Sequence, residues 1–200
     1  MYNWRQMTDK ERKEVMLIRK ERGFPKHSPP HVYTSLSNCF HVCAANFEHR
    51  PIIGHSPERM YQFSLGLVQL CLEFCNKLYA WCVLPNHWHL LIQCDNFRKM
   101  LVAIGQLHGR SSRAWNLEDN RLGRQCWHCC SNRYIRNQNH FLASRNYIFM
   151  NPVKHGYVAS WKDWPYSNLP EYLDSIGEET ALQCLDDYPI LDMGAKWDHD

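Results

Sequence analysis

Two hundred residues, 44% of them hydrophobic, can bury one sizeable core and fit one domain with extensions at its ends. No stretch reaches the roughly 18 apolar residues of a membrane span, and the opening MYNWRQMTDKERKE is polar and charged; both argue against an anchor or signal peptide and for a soluble, cytoplasmic protein. The net charge of +3 is unevenly spread: residues 171–200 hold nine acidic residues and one lysine, a balance of −8, which leaves +11 on residues 1–170 and points to a polyanionic partner.

Thr8-x-x-Glu11 is a capping-box pattern, and the charged stretch after it stops at Gly23 and Pro25, which predicts a helix over 9–22. KHSPPHVYTS (26–35) reads as a Pro-rich linker. Alternation of Phe40, Val42 and Ala44 within residues 36–47 predicts a first strand. Ser56-Pro57 then opens a helix over 57–75, where Met60, Phe63, Leu67, Leu70 and Phe74 form an apolar stripe. Leu78 to Leu84 is continuously apolar, Pro85-Asn86 is a turn signal, and His87 to Cys94 resumes an extended pattern, so 78–94 reads as a hairpin. Helical spacing returns over 97–116, with Met100, Ile104, Leu107 and Ala114 on one side and Arg110 and Arg113 elsewhere. A strand over 124–135 and a helix over 138–150 complete the order β-α-β-β-α-β-α. That order fits an α+β fold with a ferredoxin-like antiparallel sheet and helices packed on one face.

Ten cysteines raise the question of zinc or disulfides. A chain without a signal peptide argues against disulfides. Cys126-x2-Cys129 alone has zinc-ligand spacing and lacks a second half, so the cysteines read mainly as buried thiols, with a zinc-dependent binding module as a lesser alternative.

Two motifs carry chemistry. In Asn86-His87-Trp88-His89, residues i and i+2 of a strand project to one face, so both imidazoles point together while Trp88, Leu90 and Ile92 take the other. Two imidazoles are half a metal site. With 12 histidines in 200 residues, an H-x-H arises by chance in roughly half of such sequences, so the pair taken alone reads as a structural or surface pair. In Tyr147-Ile148-Phe149-Met150-Asn151-Pro152, positions i and i+4 share a helix face, so a phenol and an amide oxygen can converge. Because a residue before proline is pushed out of the helical region, Asn151 is expected at or past the helix end.

Taken together, VLPNHWHLLI (83–92) and NYIFMNPVKHGYV (146–158), followed by WKDWPYS (161–167), resemble the REP-associated tyrosine transposases, a branch of the HUH single-strand DNA endonucleases. The resemblance spans roughly residues 30–175. It implies that His87, His89 and Asn151 bind Mg²⁺ or Mn²⁺, and that Tyr147 is the nucleophile of a DNA cleavage and rejoining reaction that passes through a 5′-phosphotyrosine link and frees a 3′ hydroxyl. A phenol with pKa near 10 needs activation for this. The implied substrate is single-stranded DNA folded into the hairpin of a palindromic repeat. Lys and Arg interleaved with aromatic rings suit such a strand, so Arg110, Arg113, Trp127, Arg133, Tyr134, Arg136, Asn137 and Lys154 are the expected DNA contacts. The protein would act as monomer or homodimer, with no membrane partner. Residues 1–30 would form a helical arm and linker, 31–170 the endonuclease domain and 171–200 an acidic tail. A domesticated, non-cleaving nucleic-acid-binding protein of the same fold is the alternative; the joint presence of His87, His89, Tyr147 and Asn151 argues against it.

Overall fold

A computed structural model of the chain describes residues 38–190, together with residues 8, 10, 13, 14 and 17. These central residues belong to the compact unit Thr34–Leu191. The predicted linker, and the predicted 9–22 helix apart from its isolated residues 10, 13, 14 and 17, lie outside the described residues.

Turn chemistry and strand alternation set the sheet. Strands β1 (Cys39–Ala45), β2 (Lys77–Val83), β3 (His87–Gln93) and β4 (Ser131–Tyr134) pair antiparallel in the order β2-β3-β1-β4. The Pro85-Asn86 turn joins β2 to β3, with Leu84 N–H donating to the His87 carbonyl at 2.8 Å. A second segment clamps that turn: Gly54 N–H donates to the Pro85 carbonyl at 2.7 Å, and a Cβ at position 54 would lie 2.3 Å from Pro85 Cβ. Only glycine permits this approach.

Helix α1 (Pro57–Phe74) starts where Ser56 Oγ accepts from Arg59 N–H at 3.1 Å, and α2 (Phe97–Glu118) where Asn96 Oδ1 accepts from Lys99 N–H at 3.1 Å. Their apolar stripes cover the sheet face that carries Phe40, Val42, Ala44, Trp88, Leu90 and Ile92. Phe40 stacks on Phe97 with ring centroids 3.9 Å apart. At the far end Arg59 donates to the Ile52 carbonyl and to both Asp119 and Glu118, which ties the start of α1 to the end of α2. The ferredoxin-like arrangement expected from the pattern is present in these elements. Helix α3 (Gln138–Lys154) is added on the opposite face, so the helices are not confined to one side.

Three boundaries differ from expectation. The strand expected over 124–135 is regular only from Ser131, because Trp127 makes one isolated bridge with Asn46 and turns its indole into the core against Phe63, His108 and Trp115. Helix α3 runs past Pro152 to Lys154, so Asn151 is helical and not beyond the end. Proline here deprives a single carbonyl, that of Ile148, in the last turn; His155 and Gly156 N–H groups still cap the Asn151 and Val153 carbonyls, with Gly156 at φ 69°. Finally, the acidic segment is folded over much of its length. Helices α4 (Leu169–Ile176) and α5 (Glu178–Asp187) bury Leu169, Tyr172 and Ala181, and Asn146 of α3 donates to the Cys184 and Tyr188 carbonyls at 2.8 and 3.0 Å. Residues 191–200 lie outside the described residues. Among the described residues no helix is long and apolar enough to cross a membrane.

Candidate active site

Alternation on β3 places His87, His89 and Leu91 opposite to Trp88, Leu90 and Ile92, and α3 crosses that opposite face. Helical periodicity then turns Tyr147 and Asn151 toward the two histidines. Asn151 Oδ1 lies 2.9 Å from His87 Nε2, and the Tyr147 ring stands edge-on to His89 with centroids 5.3 Å apart. The His87 and His89 rings are 5.0 Å apart. All four side chains are buried, Tyr147 at 3% exposure. Lys154, one turn on from Asn151, holds its ammonium over the Tyr147 ring at 5.1 Å.

The protonation of His87 follows from its neighbours. Asn86 Nδ2 donates to the His49 carbonyl at 3.1 Å, which fixes the amide and turns its Oδ1 to His87 Nδ1 at 2.6 Å. An oxygen there accepts, so Nδ1 carries the hydrogen and the Nε2 lone pair is aimed at residue 151. As placed, that lone pair faces the Asn151 oxygen, and Asn151 Nδ2 is buried with no hydrogen-bond partner among the described residues. Two acceptors face to face call for a hydrogen on Nε2, for a cation between them, or for a turned amide, which would then orphan the oxygen instead.

This is the observation that tests the donor set. Two imidazole nitrogens and an amide oxygen form a neutral N/O set that suits a divalent ion completed by water or phosphate oxygens. No cluster of three or more His, Cys, Asp or Glu side chains with metal-holding geometry is present among the described residues. Each cysteine among them is a free thiol.

The expected DNA contacts scatter. Arg133 lies directly across from His41 on β4, hence on the site face, and Lys154 is beside Tyr147. Arg136 is exposed nearby, and the cationic Arg133 and Arg136, after burial, hold the His140 pKa down. Asn137 is occupied as the α3 cap, with its Oδ1 accepting from His140 N–H at 2.9 Å. Tyr134 pairs with Phe40 and packs edge-on against it, on the far face. Trp127 is 8% exposed and stacks on His108 at 4.0 Å, so it is a core residue and offers no surface to a base. Arg110 and Arg113 are exposed on α2, across the sheet from Tyr147.

Two site residues escaped the sequence reading. His41 of β1 places Nε2 3.1 Å from His89 Nδ1 and lies edge-on to Tyr147. His155, just past α3, sets its ring 5.0 Å from that of His87. Each had a signal: His41 is the odd-numbered partner in the alternation that marked Phe40 and Val42 as core, and His155 stands four residues after Asn151 in the helix motif.

The sequence model of the family described as "Transposase IS200 like" matches residues 41–142, just over half of the chain. The chain belongs to the IS200-like transposase family. The match includes His41, His87 and His89 and ends before Tyr147. A putative REP-associated tyrosine transposase of Haemophilus influenzae is 31% identical over 125 residues, covering 54% of this chain and 67% of the relative. A REP-associated tyrosine transposase of Escherichia coli is 30% identical over 97 residues, covering 46% and 54%. This chain thus spans about two thirds of the first relative and about half of the second. A solved structure of a REP-associated tyrosine transposase bound to a REP hairpin aligns with a TM-score of 0.57 at 21% identity over 87% of this chain and 93% of that one, which shows a shared fold.

Proposed function

We propose that this transposase-family chain is a metal-dependent single-stranded-DNA endonuclease and strand transferase acting on hairpin-forming DNA. The observation that carries the reading is the convergence, on one sheet face, of two imidazoles from β3 with a phenol and an amide from α3. The likeness to the REP-associated relatives, one of which was solved on a REP hairpin, supports the substrate class.

In this reading His87, His89 and Asn151 would hold Mg²⁺ or Mn²⁺, which would supply Lewis-acid polarisation of the scissile phosphate. Tyr147 attacks the phosphorus, its phenolic proton is lost, the bond to the 3′ oxygen breaks and that oxygen leaves as a hydroxyl; the 5′ side stays on the tyrosine. The phosphodiester energy is conserved, so a second 3′ hydroxyl reverses the step without ATP. Lys154, with its ammonium over the Tyr147 ring, would meet the phosphate brought to that tyrosine. Arg133 and Arg136 track the backbone on the same face.

Incubating the protein with labelled hairpin single strands and Mg²⁺ tests this. The expected result is a denaturation-resistant protein–DNA adduct that is lost on chelation and in His87→Ala or His89→Ala. Cleavage that survives both histidine variants would overturn the metal assignment, and binding without any adduct would favour the non-cleaving alternative.

A further inference from the structure

His87 and His89 are held by unlike neighbours. An amide anchored on a backbone carbonyl dictates where the proton of His87 sits, whereas His89 Nδ1 faces another imidazole, Nε2 of His41, at 3.1 Å. The contact follows from register: His41 pairs with Leu91, and His89 is the diagonal neighbour on the same face, within reach of a long side chain. Both rings are buried, and the same His41 ring lies edge-on to Tyr147 with centroids 5.9 Å apart.

Two neutral imidazoles joined this way share one hydrogen. If His41 Nε2–H donates, His89 carries its own hydrogen on Nε2 and has no lone pair there. If His89 Nδ1–H donates to His41, Nε2 of His89 keeps its lone pair and can act as a ligand. We infer that His41 is a positioning residue that accepts the His89 Nδ1 hydrogen and so sets the tautomer in which His89 can act as a ligand. The inference rests on the proposed metal reading of His87 and His89. The expected magnitude follows from how strongly an outer hydrogen-bond partner orients a ligating histidine, about 10–100-fold in metal affinity.

The test uses the full chain, Mn²⁺ affinity by calorimetry, and the side-chain ¹⁵N spectrum with Mg²⁺. In wild type, His89 should carry its hydrogen on Nδ1. His41→Phe keeps a ring beside Tyr147 but removes the acceptor, and Mn²⁺ affinity should fall about 10–100-fold. His41→Gln, which restores an acceptor oxygen, should recover most of it. Loss in His41→Phe without recovery in His41→Gln would reduce His41 to packing and overturn the inference, as would wild-type affinity in His41→Phe. Should His41→Phe fail to fold, the wild-type spectrum still decides, because a hydrogen on His89 Nε2 contradicts the role. Mn²⁺ affinity unchanged in both His87→Ala and His89→Ala would instead remove the metal reading itself.

Discussion

The two faces of the sheet are built from alternate residues of the same strands, yet they differ in kind. One presents Phe40, Val42, Trp88, Leu90 and Ile92 to two amphipathic helices and is filled with stacked rings. The other presents His41, His87 and His89 to a single helix whose buried side chains include Tyr147, Asn146 and Asn151. Period-two geometry makes this division nearly free of compromise: a substitution on one face removes no contact on the other. The packed aromatic core lies on the apolar face and the proposed chemistry on the polar one.

The sharpest way to break that division is Tyr147→Phe against Tyr134→Phe. The first removes one oxygen from the site face and should abolish the covalent adduct entirely while hairpin binding persists; the second lies on the core face and should leave the adduct intact. An adduct mapped by peptide mass to Tyr134 would contradict the division. Next in size, Trp127→Ala should cost about 3–5 kcal/mol in chemical denaturation, the usual loss for a large buried ring, and the protein still folded should form adduct at the wild-type rate. Asp119→Asn should cost about 1–3 kcal/mol at neutral pH, since it leaves the donors of buried Arg59 and partly buried Arg124 poorly matched. The Arg59 and Arg124 guanidinium groups hold the Asp119 carboxyl well below its ordinary 3.8. A depressed pKa stabilises the fold fully above the unfolded value and loses that contribution as pH falls below it, so wild type and variant should converge in stability in acid below about pH 4; a constant gap down to strong acid would deny the ion pair its role. The smallest effect is the salt dependence of single-strand binding. Each phosphate contact contributes about −0.7 to the logarithmic slope, so Lys154→Ala should flatten it by about that much, and Arg110→Ala, across the sheet, should not change it.

Much of this division was legible in the chain. The hairpin at Pro85-Asn86, the stripes of α1 and α2, and the joint projection of His87 and His89 follow from periodicity and turn chemistry, which are local. What escaped is set by tertiary partners. Trp127 looked like a stacking platform beside Arg133 and Arg136, but its fate depends on His108 and Trp115, a helix away. Asn151 was expected at or past the helix end because a pre-proline residue resists the helical region; the capping of α3 by His155 and Gly156 N–H groups lets the helix run on. The role of His41 needed the β1–β3 register, which no single segment encodes.

Asn146 has a consequence for the acidic stretch that follows the motifs. Its amide, one residue before Tyr147 and fully enclosed, finds its acceptors on the carbonyls of Cys184 and Tyr188. The segment that ends the described chain therefore supplies both backbone acceptors of an amide next to the tyrosine, and so helps to hold the helix that carries Tyr147.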